Sequence, residues 1–434
     1  MRYWRSDTNR TIQLITEGQQ FTDMDQNDVT TNPSTDSPST DSQHRLITQA
    51  LILSLGAAVA LGFARFNYAL LLPAMQTSLD WNYAQAGGMN TANAFGYMLG
   101  ALLAAPVAAR MGIARCFWLS LFLTGVSLVG SGLTDNFIAL LIMRLLAGFC
   151  GAGIFISGAT LASHLASTSR GTHGSGGQGG LVLGLYFGGV GIGIFLAGLG
   201  LPQLLEQDIE IWREAWIGMG ILSILAVIPV RLRVGEIPMT ASQNATSERW
   251  RFPTQLLPSI IAYFLFGLGY ISYMTFVIAF LRSSGTEALA LSWFWLLLGG
   301  STFASAFIWR RLLDRAKGGH ALAVVLVVVA IGAAIPLIST SLTGVLVSAL
   351  LFGGAFLTVV SSVTNIVRRS LPAHEWGIGI AIFTVLFSIG QTIGPLISGT
   401  LADRTNTLAG GFAFSATVLF IGAILALFQH TDYN

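Results

Sequence analysis

Long apolar runs separated by short polar segments dominate the chain from Leu46 to Phe428. Each run holds about 20 residues, which is enough for an α-helix to cross the roughly 30 Å hydrocarbon layer of a bilayer. The runs predict twelve transmembrane helices, at about 47–72, 83–108, 114–133, 137–164, 180–201, 212–231, 255–281, 288–312, 320–340, 343–367, 376–400 and 408–428. The pattern therefore predicts an all-α polytopic membrane protein.

The composition agrees with this prediction. Of the 434 residues, 53% are hydrophobic and only 10% are charged, and the mean hydropathy is +0.68. Because soluble domains carry roughly a quarter of their residues charged, water cannot be the solvent for most of this surface. The 50 glycines suit close contact between helices in lipid, where association depends on packing.

The charge and the cysteines limit the partners. A net charge of +2 without a basic cluster gives no indication of nucleic-acid binding. Cys116 and Cys150 fall in or beside apolar runs without ligand spacing, so we expect neither a disulfide nor a metal site. The glycine-rich segment 171–180 lacks the Lys-Ser/Thr ending that grips a nucleotide, and we predict no cofactor. The expected partners are the lipid bilayer and a small-molecule substrate, and we expect a monomer.

Polar segments divide the chain into four parts. Residues 1–45 are rich in Ser, Thr, Asp and Asn and predict a disordered cytoplasmic tail. The longest internal hydrophilic segment predicts a cytoplasmic linker at 233–254. The N-terminal six-helix bundle is then expected at 46–232 and the C-terminal bundle at 255–434.

The distribution of Lys and Arg predicts the orientation. One set of alternate loops contains thirteen of these residues, whereas the other contains only Arg213, Arg282 and Arg404. Since positive residues are retained on the cytoplasmic side, we expect both termini in the cytoplasm. The predicted location is the cell inner (plasma) membrane, spanned by multiple passes.

An internal repeat joins the two halves at an offset of 205 residues. Gly62-Phe-Ala-Arg65-Phe-Asn-Tyr68 pairs with Gly267-Leu-Gly-Tyr270-Ile-Ser-Tyr273, and single residues pair as Arg110 with Arg315, Gly148 with Gly353, and Gly189 with Gly394. One offset serving several helices predicts two pseudo-symmetric six-helix bundles.

These motifs resemble those of the major facilitator superfamily. The loop after helix 2 has Ala109-Arg110-Met-Gly112, the loop after helix 8 has Asp314-Arg315-Ala-Lys317-Gly, and helix 4 has Arg144-Leu-Leu-Ala-Gly148. More narrowly, Gly62-Phe-Ala-Arg65-Phe with Asn90-Thr-Ala-Asn93 resembles the YbfB/YjiJ-like branch. The resemblance implies the major facilitator fold and transmembrane transport, with a conformational latch formed by Arg110, Gly112, Asp314 and Arg315. Because Ala109 replaces the family's usual acid, we expect switching to depend more on Asp314.

Arg65 and Arg144 are the ionisable residues expected deep in the membrane. Each lies about seven residues, or roughly 10 Å, from the predicted outer end of its helix. In the family that the chain resembles, helices 1 and 4 line the cavity. Two guanidiniums without an intramembrane carboxylate predict a site for a planar anion, such as a carboxylate. The alternative is that each arginine caps backbone carbonyls or braces neighbouring helices.

Other polar side chains could complete a site between the halves. On helix 2, three polar residues share one face because of their three- and four-residue spacing. The full set of predicted substrate-binding residues is Arg65, Tyr68, Asn90, Asn93, Tyr97, Arg144, Tyr270, Tyr273, Asn365 and Gln391. For the asparagines and tyrosines, interhelical hydrogen bonding or packing is an equally open interpretation.

Several functions are weighed at this point. The leading prediction is secondary active or facilitative transport of a small solute, possibly an organic anion, by alternating access. Efflux of an amphipathic toxic compound is one alternative, and a non-transporting membrane sensor with a transporter fold is another. A membrane enzyme would need a paired acid and base or a metal cluster, which we do not find, so we predict no catalytic residues.

Overall fold

The computed structural model describes residues 40–170, 177–235, 254–372 and 375–430. Twelve helices in this part of the chain are long and apolar enough to cross a membrane. They are α1 His44–Ser78, α2 Tyr83–Met111, α3 Ile113–Gly132, α4 Phe137–Ser167, α5 Gly179–Gln207, α6 Ile209–Arg233, α7 Thr254–Ser283, α8 Ala288–Arg315, α9 His320–Ile338, α10 Leu342–Ser370, α11 Trp376–Thr405 and α12 Ala409–Leu427. The predicted helix count is confirmed. Most of the predicted tail and most of the predicted linker lie outside the described residues, residues 40–45 of the tail are helical, and the domain boundaries stay predictions.

Three helices end at least five residues later than predicted. Helix α1 continues past Pro73 to Ser78, α5 continues to Gln207, and α11 continues to Thr405. Hydropathy underestimates their lengths because a helix can extend beyond the apolar layer. Arg65 therefore lies about 13 residues, or roughly 20 Å, from the end of α1 instead of the seven residues predicted, and its depth in the membrane stays a prediction.

We call α1–α6 the first bundle and α7–α12 the second bundle, following the sequence repeat. Large apolar side chains remain exposed on the outer helices, for example Leu225 on α6 and Ile424 on α12, as expected of surfaces that face lipid. Helices α1 and α7 are the most enclosed, with 61% and 83% of their apolar windows buried. The centre of the molecule is therefore built around these two helices.

The repeat persists in the structure, but with a changing offset. Helices α2 and α8 begin 205 residues apart, as do α4 and α10. Gly62 of α1 contacts Gly193 of α5, while its repeat mate Gly267 of α7 contacts Phe387 of α11. These two partners are 194 residues apart, so the expected equivalence of Gly189 with Gly394 is wrong.

Glycines bring α2 and α4 into backbone contact. A Cβ atom at Gly96 would overlap the carbonyl oxygen of Leu145, and one at Gly148 would overlap that of Asn93. The two backbones can approach this closely only because neither side chain is present. This seam holds Arg144 and Asn93 beside each other.

The two membrane faces are distinguished by their loops. We call the face at which α1 begins the first face, and the face with loops 79–82, 284–287 and 406–408 the second face. Hydrogen bonds between the bundles cluster toward the second face, where Ser292 of α8 donates to Gln203 of α5 at 2.8 Å. At the same face the carboxylate of Asp403 accepts the backbone N–H groups of Tyr83 and Ala84 at 2.8 and 2.9 Å. The molecule is therefore closed at the second face.

Candidate functional site

A widened turn in α1 positions Arg65. Residues Ala58–Phe66 form a π-helix, and the Asn67 N–H donates to the Gly62 carbonyl at 2.9 Å. Segments of this kind are rare and occur frequently at functional sites, where they redirect side chains. Arg65 is the penultimate residue of the π-helix and is only 2% exposed.

The guanidinium of Arg65 reaches from the first bundle to the second. Its Nη2 donates to Oε1 of Gln391 on α11 at 2.5 Å, and Nε2 of Gln391 donates to the hydroxyl of Tyr270 on α7 at 2.5 Å. The Tyr97 ring lies 5.2 Å from the guanidinium carbon, within the range of a cation–π interaction. We call Arg65, Tyr97, Tyr270 and Gln391 the Arg65 cluster. All four were among the residues predicted from the sequence, and the structure brings them together.

Arg144 has different surroundings. Its Nη1 donates to the backbone carbonyl of Ala64 at 2.5 Å, and its Nη2 donates to Oδ1 of Asn90 at 3.1 Å. The rings of Tyr68 and Trp216 lie 4.9 and 5.3 Å from its guanidinium carbon. Within the described residues only Nε lacks an acceptor, and the side chain is 1% exposed. These contacts favour the bracing interpretation for Arg144.

The predicted polar face of α2 points into the same interior. Asn90 accepts from Arg144 and donates to Thr275 of α7 at 2.7 Å, so it joins the two bundles. Asn93 donates to the backbone carbonyl of Arg144 at 3.2 Å. Both asparagines are buried and occupied by protein partners, which favours an interhelical role for them.

The remaining predicted side chains lie outside the Arg65 cluster. Tyr68 donates to the Ala86 carbonyl at 2.7 Å and is fully buried. Tyr273 pairs with the Ser348 hydroxyl at 2.6 Å and stacks on Phe352. Asn365 is half-buried on α10 and makes no hydrogen bond with the cluster in the described part of the chain.

Parallel aromatic rings pack against one side of the Arg65 cluster. The rings of Tyr270 and Phe387 are 5.6 Å apart at 11°, and those of Tyr263 and Phe387 are 4.5 Å apart at 13°. Phe266 stacks on Tyr270 at 4.7 Å. The cluster is thus bounded on the second bundle by an apolar wall.

The two central arginines have no carboxylate partner among the described residues. The ion pairs in this part of the chain involve exposed or partly exposed groups near the faces: Arg213 pairs with Asp135 and Glu210, and Arg310 lies 3.9 Å from Asp314. No group of three or more His, Cys, Asp or Glu side chains in the described ranges could hold a metal ion. The interior therefore carries positive charge that no carboxylate of the described residues neutralises.

The predicted latch residues lie at the first face. Gly112 has a φ of +90° between α2 and α3, a conformation that favours glycine. Arg110, Asp314 and Arg315 are exposed. Arg369 donates to the carbonyls of Leu313 and Asp314 at 3.1 Å each, which ties the end of α10 to this loop. A latch role for these residues stays a prediction.

The sequence analysis did not identify several polar residues that join helices. Asn67 donates to the Gly193 carbonyl and accepts from Nε1 of Trp295, both at 3.2 Å, so it joins α1, α5 and α8. Thr275 holds Asn90, and Asp403 caps α2. Asn67 lies inside the repeated motif and could have been identified from it. No local sequence pattern indicates the roles of Thr275 and Asp403.

Comparison with known proteins identifies the family. A family model described as "Uncharacterised MFS-type transporter YbfB" matches residues 57–427, which is most of the chain. The chain belongs to this family. The inner membrane transport protein YdhP of Escherichia coli strain K12 is 23% identical over 393 residues, which cover 87% of this chain and 92% of that protein.

Solved structures show the same fold. The nucleoside transporter NupG is 15% identical with a TM-score of 0.66, over 88% of this chain and 97% of that one. A bacterial homologue of the human lysosomal transporter Spinster is 16% identical with a TM-score of 0.63, over 92% and 100%. The human organic anion transporter MFSD10 is 15% identical with a TM-score of 0.62, over 88% and 99%. The chain is thus a multi-pass inner-membrane transporter of the major facilitator superfamily, and its cargo is a small solute.

Proposed function

We propose that this transporter carries a small organic anion by alternating access and that Arg65 binds the anionic group. One observation carries the proposal: Arg65 is a buried cation that is bonded to a neutral amide and has no carboxylate partner in the described part of the chain. A buried charge costs several kcal/mol unless it is compensated, so an anion delivered to this position gains most of that energy.

The geometry of Arg65 suits a carboxylate. A guanidinium has five N–H donors in a planar fork, and Arg65 engages one hydrogen-bond acceptor within the described residues. A carboxylate can accept two parallel hydrogen bonds from such a fork. Arg144 is less suited because both of its terminal nitrogens already donate to protein oxygens.

The position of Arg65 also suits alternating access. The cluster connects α1 of the first bundle with α7 and α11 of the second, and the bundles are closed against each other toward the second face. A site between two bundles that rock against each other is exposed to each side in turn. The similar structures carry names of transporters for different solutes, so the shared fold leaves the choice of substrate to such side chains.

The orientation follows from the loops. The set of alternate loops that includes those at the first face contains thirteen Lys and Arg residues in the sequence, and the other set contains three, so the first face and both termini are cytoplasmic in this proposal. The second face is then the outer one. We also propose that one chain is the transporting unit, because the cluster is complete within a single chain.

Thermal stabilisation of the purified protein tests the anion site. The panel contains benzoate, succinate and gluconate, with glucose as a neutral compound and tetraphenylphosphonium as a cation. We expect at least one carboxylate to raise the melting temperature of the wild type, and Arg65→Ala to abolish that shift. Arg65→Lys keeps the charge but loses the planar fork, so it should retain a weakened response.

Arg282→Ala is the matched control, since it removes a positive charge from the second-face end of α7 without touching the cluster. It should leave the stabilisation unchanged. A carboxylate that passes this test is then measured for Arg65-dependent flux in proteoliposomes. Stabilisation by the neutral or cationic compound alone, or a normal carboxylate response in Arg65→Ala, would contradict the proposal.

A further inference from the structure

The amide of Gln391 has a fixed orientation between two buried partners. Arg65 can only donate, so the oxygen of the amide must face it, and the nitrogen must then face the Tyr270 hydroxyl. Both distances are 2.5 Å, and the three side chains are at most 3% exposed. An sp² oxygen is therefore held against the guanidinium where one oxygen of a carboxylate would bind.

We propose that Gln391 is an internal placeholder for the substrate. In the protein without solute, its Oε1 occupies the anion position on Arg65, and the carboxylate of the solute displaces it. This inference rests on the proposed function of Arg65 as the anion-binding residue. Displacement is favourable because a charged acceptor binds a guanidinium more strongly than a neutral amide does.

Displacement also has a mechanical effect. The Arg65–Gln391 hydrogen bond joins α1 of the first bundle to α11 of the second. When the solute takes the place of the amide, this connection between the bundles is broken at the centre of the molecule. Binding of the solute thus removes one of the contacts that hold the bundles in the present arrangement, which links occupancy to conformational change.

The neutrality of Gln391 sets the charge preference of the site. A glutamate of the same length would neutralise Arg65 permanently and compete with any anion. A glutamine satisfies the buried donor and leaves its charge available. Gln391 is therefore a specificity-determining residue as well as a placeholder.

A placeholder and a direct ligand predict opposite effects of substitution. If Gln391 contacted the solute, its removal would weaken binding. Because a placeholder competes with the solute, its removal should tighten binding. We therefore expect Gln391→Met, which has a similar volume and no strong acceptor, to lower the dissociation constant about tenfold, the order of magnitude of one hydrogen bond to a charged group. Gln391→Glu should abolish binding.

The measurement is calorimetric titration of the purified variants with the carboxylate among benzoate, succinate and gluconate that stabilises the wild type most. Gln391→Leu is a second neutral variant in case the methionine variant does not fold. Tyr270→Phe removes the hydroxyl that accepts from the Gln391 amide nitrogen. It shows how much the loss of this hydrogen bond alone changes the dissociation constant, with the Gln391 oxygen still in place. Gln203→Leu is the matched control, because Gln203 also joins the bundles but lies at the second face; its dissociation constant should equal that of the wild type.

The outcomes distinguish this inference from the proposed function. Tighter binding in Gln391→Met and none in Gln391→Glu supports the placeholder. Weaker or unchanged binding in both neutral variants, with Arg65-dependent binding in the wild type, overturns the placeholder and leaves the anion transporter intact. If the wild type binds none of the carboxylates, or if Arg65→Ala binds them normally, the proposed function fails and the placeholder fails with it.

Discussion

Arg65 and Arg144 carry the same charge at neighbouring positions, yet their surroundings differ. Arg144 donates to the carbonyl of Ala64, the residue before Arg65, and to the side chain of Asn90. It also lies between two aromatic rings. Arg144 thus supports the segment of α1 that presents Arg65.

Replacement of Arg144 should therefore affect stability before it affects affinity. Arg144→Ala leaves the Ala64 carbonyl and the Asn90 amide oxygen without this donor, at a cost of about 1–3 kcal/mol for each unsatisfied buried group. We expect a lower melting temperature in detergent than for Arg65→Ala. The folded fraction should still respond to the carboxylate found with the wild type. An unchanged melting temperature with loss of the response would make Arg144 a ligand instead of a brace.

Sequence reasoning found the central residues but not how they pair. The cost of an intramembrane charge identified both arginines, and helical spacing placed Asn90 and Tyr97 on one face. Gln391 was named as a candidate, but its partner on α1 stands 326 positions away in the chain and no local pattern indicates the contact. The contact of Thr275 with Asn90 was missed because it also joins distant parts of the chain. In addition, a threonine in an apolar helix usually bonds its own backbone, so Thr275 did not attract attention.

At the scale of helices, the contact of α2 with α4 shows what the glycines do. Gly148 lies against the backbone of α2, whereas Gly88 on α2 has open space where a side chain would begin. The two positions therefore form a matched pair for substitution. They share a residue type and a helical conformation, and they differ in packing.

We expect Gly148→Ala to destabilise the protein. Gly88→Ala should leave its stability unchanged or raise it slightly. An added methyl at Gly148 must push the helices apart, at a cost of about 1–3 kcal/mol for overpacking. At Gly88, alanine gains up to about 1 kcal/mol of helix propensity. Melting temperatures in detergent measure both effects. Equal shifts for the two variants would show that the seam is looser than the backbone contact indicates.

The positions of the helices were largely predictable, and their ends were not. Hydropathy reports where the apolar layer lies, and this gave the twelve helices. It does not report where hydrogen bonding stops, so Asp403 was assigned to a loop instead of the last turn of α11. Its cap on α2 could not be predicted from that position.

At the scale of the whole molecule, closure of the second face depends on that cap. The two oxygens of Asp403 accept two backbone N–H groups that begin α2 in the other bundle. A negative group at a helix N-terminus is favourable for both the hydrogen bonds and the helix dipole.

Asp403→Ala should shift the equilibrium toward opening at the second face. Loss of such a cap costs about 1–2 kcal/mol, so the open population should rise about tenfold. The reporter is Ala86→Cys, buried on α2, in a chain in which Cys116 and Cys150 are replaced by alanine. We expect faster reaction with a membrane-impermeant maleimide added from outside the cell.

Asp208→Ala is the control for this measurement. Asp208 also accepts a backbone N–H at the second face, from Glu210, but both residues belong to one bundle. It should leave the reaction rate unchanged. Reaction only from the cytoplasmic side would show that the proposed orientation is reversed.

The π-helix of α1 has a consequence for how the charge of Arg65 can move. Each hydrogen bond in residues 58–66 spans one residue more than in an α-helix, so the segment contains more chain than an α-helix of the same length. Expelling one residue from it would turn the side chains on one side of the segment by about 100° relative to the other side, since an α-helix holds 3.6 residues per turn. This screw rotation would carry the Arg65 side chain around the axis of α1 and change its position relative to Gln391.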